Sequence, residues 1–355
     1  HPNRPLNRVL SWFINLIRSV PFLILIVALN PISKLIAGTS IGPKSSIFAL
    51  VVAAAPFVAR MVESSLREVD QGVVEPLNDY LDELGVDLSS MYTQNSLDSV
   101  TFDGEIYAIP LDTHAEVMYY NKDILEKAGV ELNADGKLDI SSLDDFKAML
   151  DKVKAVMGDG ESPLSLPNTG DDPYRVWWAT YYQLGGTPIV NDDGTEVTLD
   201  KDKAVEAAEF VKSLYDDGYV ATGIDDHQKL FQSGKAGFLF GGTWAVGVME
   251  STDGLNFNVQ SFPQLFDEDH CWADSHTFIL PVNGDRDEDE TKAAVEFMVA
   301  ACKDGGLTWA GSGQIPANTE VTGNEEYAAL PYRSNYQDEV EKAVLPAKNP
   351  HFYAM

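Results

Sequence analysis

Cysteine and positive charge are both scarce in this chain of 355 residues. Cys271 and Cys302 are the only cysteines. They lack metal-ligand spacing and sit in unlike local contexts, so they read as buried free thiols and not as a disulfide framework. Lys and Arg number 25 against 55 Asp and Glu, a formal net charge of −30. The shortage is uneven: up to Val74 there are seven Lys or Arg against three Asp or Glu, and beyond it eighteen against fifty-two. A field of that sign repels phosphate backbones, and no basic stripe interleaved with aromatics follows residue 76, so nucleic acid is excluded as a partner. The acidic part still carries ordinary numbers of Trp, Tyr, Phe and Leu, which lets it bury a core and excludes a disordered acidic tail.

Catalytic signatures are missing too. Gly241, Gly242 and Thr243 make no phosphate loop, because the Lys required before the Thr is absent. No Ser nucleophile motif or reactive Cys context exists. His270, Cys271 and His276 lack a fourth ligand at a spacing zinc would use. The acidic runs at 266–270 and 285–290 lack the Gly and closing Glu of a calcium loop and read as solvated loops. Neither metal nor cofactor is expected. Among so many carboxyls a glycosidase pair cannot be read from spacing alone; Asp112 and Glu116 are the nearest candidates.

The first 75 residues are of another texture. Residues 19–29 are apolar and uncharged, and the stretch through Gly38 is broken only by Asn30, Ser33 and Lys34. A second run, 47–59, holds only apolar residues and Pro56. Two membrane helices joined by a tight loop around Gly42 and Pro43 are expected, with residues 19–62 in the membrane. A signal peptide fits worse, since the apolar content comes in two blocks with no small-residue cleavage site. Arg4, Arg8 and Arg18 before the first run, with Arg60 and Arg67 after the second, place both ends on the cytoplasmic side, while Lys34 and Lys44 argue the other way.

From Pro76 short strands and helices alternate, and the length calls for two or three folding units. Asp103 and Gly104 mark a hairpin over 100–110. A strand is expected at 115–120, and a helix at 123–128 stopped by Gly129. Residues 142–157 are amphipathic and open on a Ser cap, with Asp145 three positions on. Further helices are expected at 174–184, 203–216, 227–233, 291–303 and 337–344, and strands at 237–240, 258–261 and 277–281. The mixture implies α/β lobes, without internal repeats.

Two resemblances follow. RSVPFLILIVALNP and GTSIGPKSSIFALVVAAAPFVARMVESSLREVDQGVVE resemble the permease subunit of a methionine-type ABC importer over nearly all of residues 1–75. In such permeases a coupling loop reading Glu-Ala-Ala follows; here Glu75 is followed by Pro76 and Leu77. Four strings of the body resemble bacterial family 1 extracellular solute-binding proteins of the maltose-binding type: YAIPLDTHAEVMYYNKDILEKAGV, FQSGKAGFLFGGTW, FILPVNGDRDEDETKAAVEFM and GQIPANTEV. GVVEPL suits either parent, so a spliced reading frame or recombination is expected there, with an evolved fusion as the alternative.

This second resemblance implies an α/β, two-lobed periplasmic-binding-protein-like fold of type II with an incomplete first lobe, behind an α-helical membrane hairpin. The first lobe would be 76–112 plus 276–318, and the second 113–275 plus 319–355. The family's opening strand, helix and strand and its closing helices are expected to be missing. The implied function is carbohydrate binding for an ABC importer, without enzymatic activity, in partnership with ABC permease subunits. The alternatives are a glycan-degrading enzyme and a membrane-tethered sugar sensor. The family implies lobes outside the cell or in the periplasm, whereas the hairpin topology implies the cytoplasmic side.

Carried over by position, the resemblance gives a ligand site. His114 lies where relatives have an acidic sugar ligand, with Asp112 at the same hinge; each could instead serve as a hinge hydrogen-bonder or turn cap. Asp172 and Tyr174 match an acidic-Pro-Tyr element whose Tyr packs on a sugar ring. Trp244 matches a stacking Trp, its alternative being core packing. Trp177, Trp272 and Gln314 are looser candidates; one of Trp177 and Trp178 belongs to the core, and Trp272 covers a loop in its blander role. The chemistry is apt, because a sugar offers apolar C–H faces and a rim of hydroxyls and so needs flat aromatics beside acceptors and amide donors.

Overall fold

The computed structural model describes residues 74–191 and 195–345. The expected membrane hairpin over 19–62 lies outside them, and among the described residues no helix is long and apolar enough to cross a membrane. The described residues fall into two units, one of Val74 and Glu75 with 281–284, the other of 76–280 with 285–345. In the first, Val74 makes an antiparallel bridge to Pro281.

The second unit opens with helices α1 (Asn78–Leu84) and α2 (Gln94–Val100) and the hairpin of β1 (Thr101–Phe102) and β2 (Glu105–Ile106). Asp103 (φ 51°) and Gly104 (φ 86°) both take the left-handed turn conformation that the Asp-Gly pair favours. The hairpin is shorter than expected: β3 (Ala108–Pro110) leaves it to pair with β9 (Thr277–Ile279).

At the centre lies β4 (Asp112–Asn121), six residues of which read as one apolar run from Ala115 to Tyr120 save Glu116. Strands buried on both faces carry such runs. Its residues 116–120 pair antiparallel with β6 (Ala236–Gly242), and β7 (Phe257–Ser261) runs along the opposite edge. Nearer its start, β8 (Cys271–Asp274) pairs with His114 and Ala115, and β10 (Ile315–Pro316) with Asp112 and Thr113. β5 (Ser162–Ser165) adds to β6 and β11 (Ala343–Val344) to β8, both parallel.

The helices begin and end where local chemistry directs. Asn121 caps α3 (Lys122–Ala128), which stops at left-handed Gly129. Ser142 caps α4 (Leu143–Lys154) through the Asp145 amide. α5 (Asp172–Gln183), α6 (Lys201–Asp216) and α7 (His227–Gln232) fall close to their expected spans. α8 (Val246–Glu250) follows β6, and α9 (Glu288–Lys303) starts one turn earlier than expected because Asp287 and Glu290 form a capping box. Of the helix expected at 337–344, only Glu339–Lys342 is helical, and the next two residues leave to form β11.

Side chains alternate across β4, so it feeds two cores. Met118 and Tyr120 join Phe146, Leu150, Leu164, Val176, Leu214 and Phe238 on one side. Val117 and Tyr119 join Phe231, Val246, Met249, Val259 and Tyr336 on the other. Each fully buried large apolar side chain there contributes about 1.5–3 kcal/mol. A third cluster unites Leu77, Leu81, Tyr92, Ile109, Val295 and Met298. Cys271 and Cys302 are free and buried in different clusters, as expected.

Candidate functional site

On β4 the two-residue period puts Asp112, His114 and Glu116 on one face. Asp112 has no exposed surface. Its carboxylate accepts from Trp309 Nε1 (2.6 Å), from His276 through Nδ1 (2.9 Å) and the backbone amide (3.1 Å), and from His114 Nδ1 (3.2 Å). Burial alone would raise this carboxyl, yet the hydrogen bonds from His114, His276 and Trp309 outweigh it and hold Asp112 below the ordinary range, hence ionised. The rings of His114 and His276 lie 4.3 Å apart, tilted by 30°.

Two indoles close over His114. Trp244, in the turn after β6, lies 5.9 Å away edge-on, and Trp272, on β8, 6.0 Å away. The indoles are 6.4 Å apart and nearly perpendicular. Arg175 of α5 places its guanidinium carbon 4.7 Å from the Trp244 ring centre and 4.5 Å from that of Trp272, so one cation serves two aromatic faces. Asp172, three residues earlier, anchors it through a 2.6 Å ion pair, with Asp171 at 3.6 Å. Burial raises the Asp172 carboxyl more than Arg175 lowers it. Gln314 stands beside this group, its Oε1 accepting from Thr243 Oγ1 at 2.7 Å.

Glu116 is fully buried, and neither carboxyl oxygen has a hydrogen-bond partner. Burial, then repulsion from Asp172, outweighs the attraction of Arg175 and lifts its pKa well above the usual carboxylate value. Burial without a partner thus favours its protonated form. Without exposed surface it is not placed to protonate a glycosidic oxygen.

The remaining sequence candidates lie apart. Tyr174 is 41% exposed and stacks on Trp177 at 5.8 Å; Trp177 stacks in turn on Tyr181 and donates to the Ala204 carbonyl. None of the described ring contacts of Tyr174 or Trp177 involves His114, Trp244 or Trp272. Trp178 is the core member of its pair, its Nε1 donating to the Val344 carbonyl. Trp272 is only 7% exposed and acts as a wall. The trio His270, Cys271 and His276 is not assembled: His270 Nδ1 faces the Lys342 carbonyl, Cys271 the Glu339 carbonyl, and His276 turns to Asp112. Sequence reasoning missed Arg175, Trp309 and the partnership of His276 with Asp112. The i, i+3 spacing of Asp172 and Arg175 is the local signal by which their ion pair could have been found, but nothing local announced the two indoles.

A cavity of about 530 Å³ lies elsewhere, lined by Thr93, Lys137, Pro316, Gln337, Asp338 and their neighbours. No aromatic ring lines it. The His114–Trp244 group is therefore the better candidate for a solute with an apolar face.

Comparison with solved proteins shows the class. The structure is similar to the GacH receptor of Streptomyces glaucescens, solved unliganded and with acarbose (TM-score 0.65, 24% identity, covering 81% of this chain and 71% of that one). It is also similar to UgpB from Mycobacterium tuberculosis in complex with glycerophosphocholine (TM-score 0.63, 18% identity, covering 80% and 71%). The fold is thus the two-lobed α/β fold of periplasmic binding proteins. Within that class the chain belongs to the bacterial extracellular solute-binding protein family, whose model matches residues 37–334. At family level this means binding proteins and not enzymes.

A putative binding protein of Brucella abortus is 32% identical over 202 residues, 55% of this chain and 46% of that one. The chain thus spans about half the length of the curated binding-protein relatives it matches. A stretch of 73 residues is 55% identical to the probable D-methionine transport system permease protein MetI of Vibrio cholerae, covering 21% of this chain and 32% of that one. Both resemblances seen in the sequence are borne out.

Proposed function

We propose that this chain is the carbohydrate-binding component of an ABC importer, and that Trp244, His114 and Asp112 form the centre of its sugar site. The carrying observation is the half-buried indole of Trp244 beside an imidazole held by a buried, ionised carboxylate. An indole offers a C–H-binding face, and an oriented imidazole offers a hydrogen bond to a hydroxyl at its rim. Gln314 and Asp172 extend the polar lining, with Trp272 as a supporting wall, while Tyr174 and Trp177, stacked on each other outside this group, are the outlying aromatics of the site. Capture proceeds by closing one lobe (76–112 plus 276–318) on the other (113–275 plus 319–355), the closed state being selected by contacts from both sides. In this reading the first lobe is incomplete, the lobes work outside the cytoplasm, and residues 1–75 derive from a permease and cross the membrane through 19–62. The partners are a sugar or oligosaccharide and ABC permease subunits. That GacH was solved with acarbose supports the ligand class.

One observation favours a second reading. The paired indoles already hold a cation, Arg175. A quaternary ammonium solute would seek the same faces, and UgpB was solved with glycerophosphocholine.

A thermal-shift screen of the purified chain against mono- and oligosaccharides and glycerophosphocholine separates the two. A saturating ligand at a hundred times its Kd stabilises by about 2.7 kcal/mol. A saccharide shift in the parent that is absent from Trp244→Ala is the expected outcome. Equal shifts in both proteins would refute stacking on Trp244, and a shift with glycerophosphocholine alone would replace the sugar reading with the second.

A further inference from the structure

We propose that Asp112, His114 and His276 bind a divalent transition-metal ion, zinc foremost, at the point where segments 111–114 and 275–276 run side by side. One ligand atom from each of the three lies within 4.8 Å of the others. His276 Nδ1 stands 3.1 Å and His114 Nδ1 3.2 Å from the same Asp112 oxygen, Oδ1. Zinc ligands about 2.0–2.2 Å from the ion at tetrahedral angles sit about 3.4 Å from one another. The two spacings to Asp112 are close to that, and the third, between the imidazole nitrogens, is within 4.8 Å, so an ion entering the cluster draws the two side chains inward. Each imidazole then presents the Nδ1 lone pair, and its proton is carried on Nε2.

The surroundings are those a metal site requires. A ligating carboxylate is held by outer hydrogen bonds, and Asp112 receives them from Trp309 Nε1 and the His276 amide. The two segments are tied by the Ser275 hydroxyl, which donates to the Asp112 carbonyl at 2.6 Å, and by the Leu111 amide, which donates to the His276 carbonyl at 2.8 Å. His276 leaves 53% of its side chain exposed, which provides an entry path. Two imidazoles with one carboxylate suit zinc, copper or nickel better than calcium or magnesium. Three protein ligands leave a fourth position open to water or to an oxygen of a bound solute.

The inference shares Asp112 and His114 with the proposed sugar site but does not rest on sugar binding, since it concerns an ion on the unliganded protein. Full-length chain stripped with EDTA is titrated with zinc by calorimetry in excess calcium, which saturates exposed carboxylates, and with cobalt(II) to read visible d–d bands. The expected result is one site of micromolar or tighter affinity, weakened at least tenfold in His276→Ala, with tetrahedral cobalt bands lost in the same variant. His276→Ala decides because its half-exposed side chain can be removed without opening the core; Asp112→Asn is the second variant. No saturable zinc binding up to about 100 μM, or equal binding by parent and His276→Ala, overturns the proposal. Running the saccharide screen in EDTA keeps the two claims separate: a sugar shift that survives there supports the sugar site whatever zinc does.

Discussion

Gly242 sits at φ −82° and ψ 161°, a conformation open to any residue, so its lack of a side chain answers to space and not to torsion. A Cβ there would fall 2.1 Å from ring carbons of Trp244. The glycine lets the chain turn and lay the indole back across it. Gly242→Ala is therefore expected to cost about 1–3 kcal/mol in urea unfolding, as overpacking does, and to weaken any ligand-induced shift that depends on Trp244. Gly241→Ala is the control, because its Cβ would meet only side-chain atoms at 3.6 Å or beyond. Equal stability of the two variants would show that the indole moves aside freely. At this scale the sequence was informative where the family resemblance fixed a side chain's place: Asp112 and His114 together at the hinge, Trp244 after its glycine turn. It was silent where the partner comes from a distant element. Arg175 reaches two indoles from a helix, and His276 finds Asp112 across 164 positions.

Among the elements, the segment around Glu339–Lys342 departs most from its expected form. Glu339 is fully buried; one carboxyl oxygen accepts from the Phe262 amide, and the other has no partner. Burial pushes its pKa up to about 8 against the influence of Cys271 and Lys342. The folded chain therefore keeps this proton between about pH 4.5 and pH 8, whereas the unfolded chain releases it, and stability falls as pH rises through that window. Glu116, also raised, slopes the same way; Asp112, lowered, acts only at more acidic pH. Glu339→Gln preserves an acceptor for Phe262 and removes the titration, so its melting temperature should fall less than the parent's between pH 5.5 and pH 8. Parallel melting curves for the two proteins would dismiss Glu339 as the source. This segment also shows which elements were hidden. The capped helices α3 and α4 announce themselves through neighbouring residues, while β11 exists only because it pairs in parallel with β8, which itself is held by β4 from a distant part of the chain, and a short apolar run cannot declare such partners.

For the whole molecule the dominant fact is the charge, and this was fully legible: beyond Val74, eighteen cations face fifty-two carboxyls. Arg333–Glu250, with its guanidinium buried, and the Lys342 pairs with Asp269 and Asp338 are held close. Eighteen cations cannot neutralise fifty-two anions, however, so most carboxyls repel one another, and self-repulsion of this kind destabilises a compact state. Exposed pairs such as Lys147–Asp217 and Lys292–Glu83 return at most about 1 kcal/mol each. Salt shortens the range of both effects, from about 30 Å at 0.01 M to about 10 Å at 0.1 M. The repulsion acts over many long distances, whereas each attraction acts over one short one, so screening removes more of the first. The melting temperature should therefore rise by several degrees as sodium chloride goes from low to moderate concentration, about 2–4 °C for each kcal/mol relieved in a domain of this size. The measurement is made in EDTA, so that adventitious metal cannot stabilise one condition alone. A melting temperature that falls with salt would mean that the ion pairs, few as they are, hold the acidic body together.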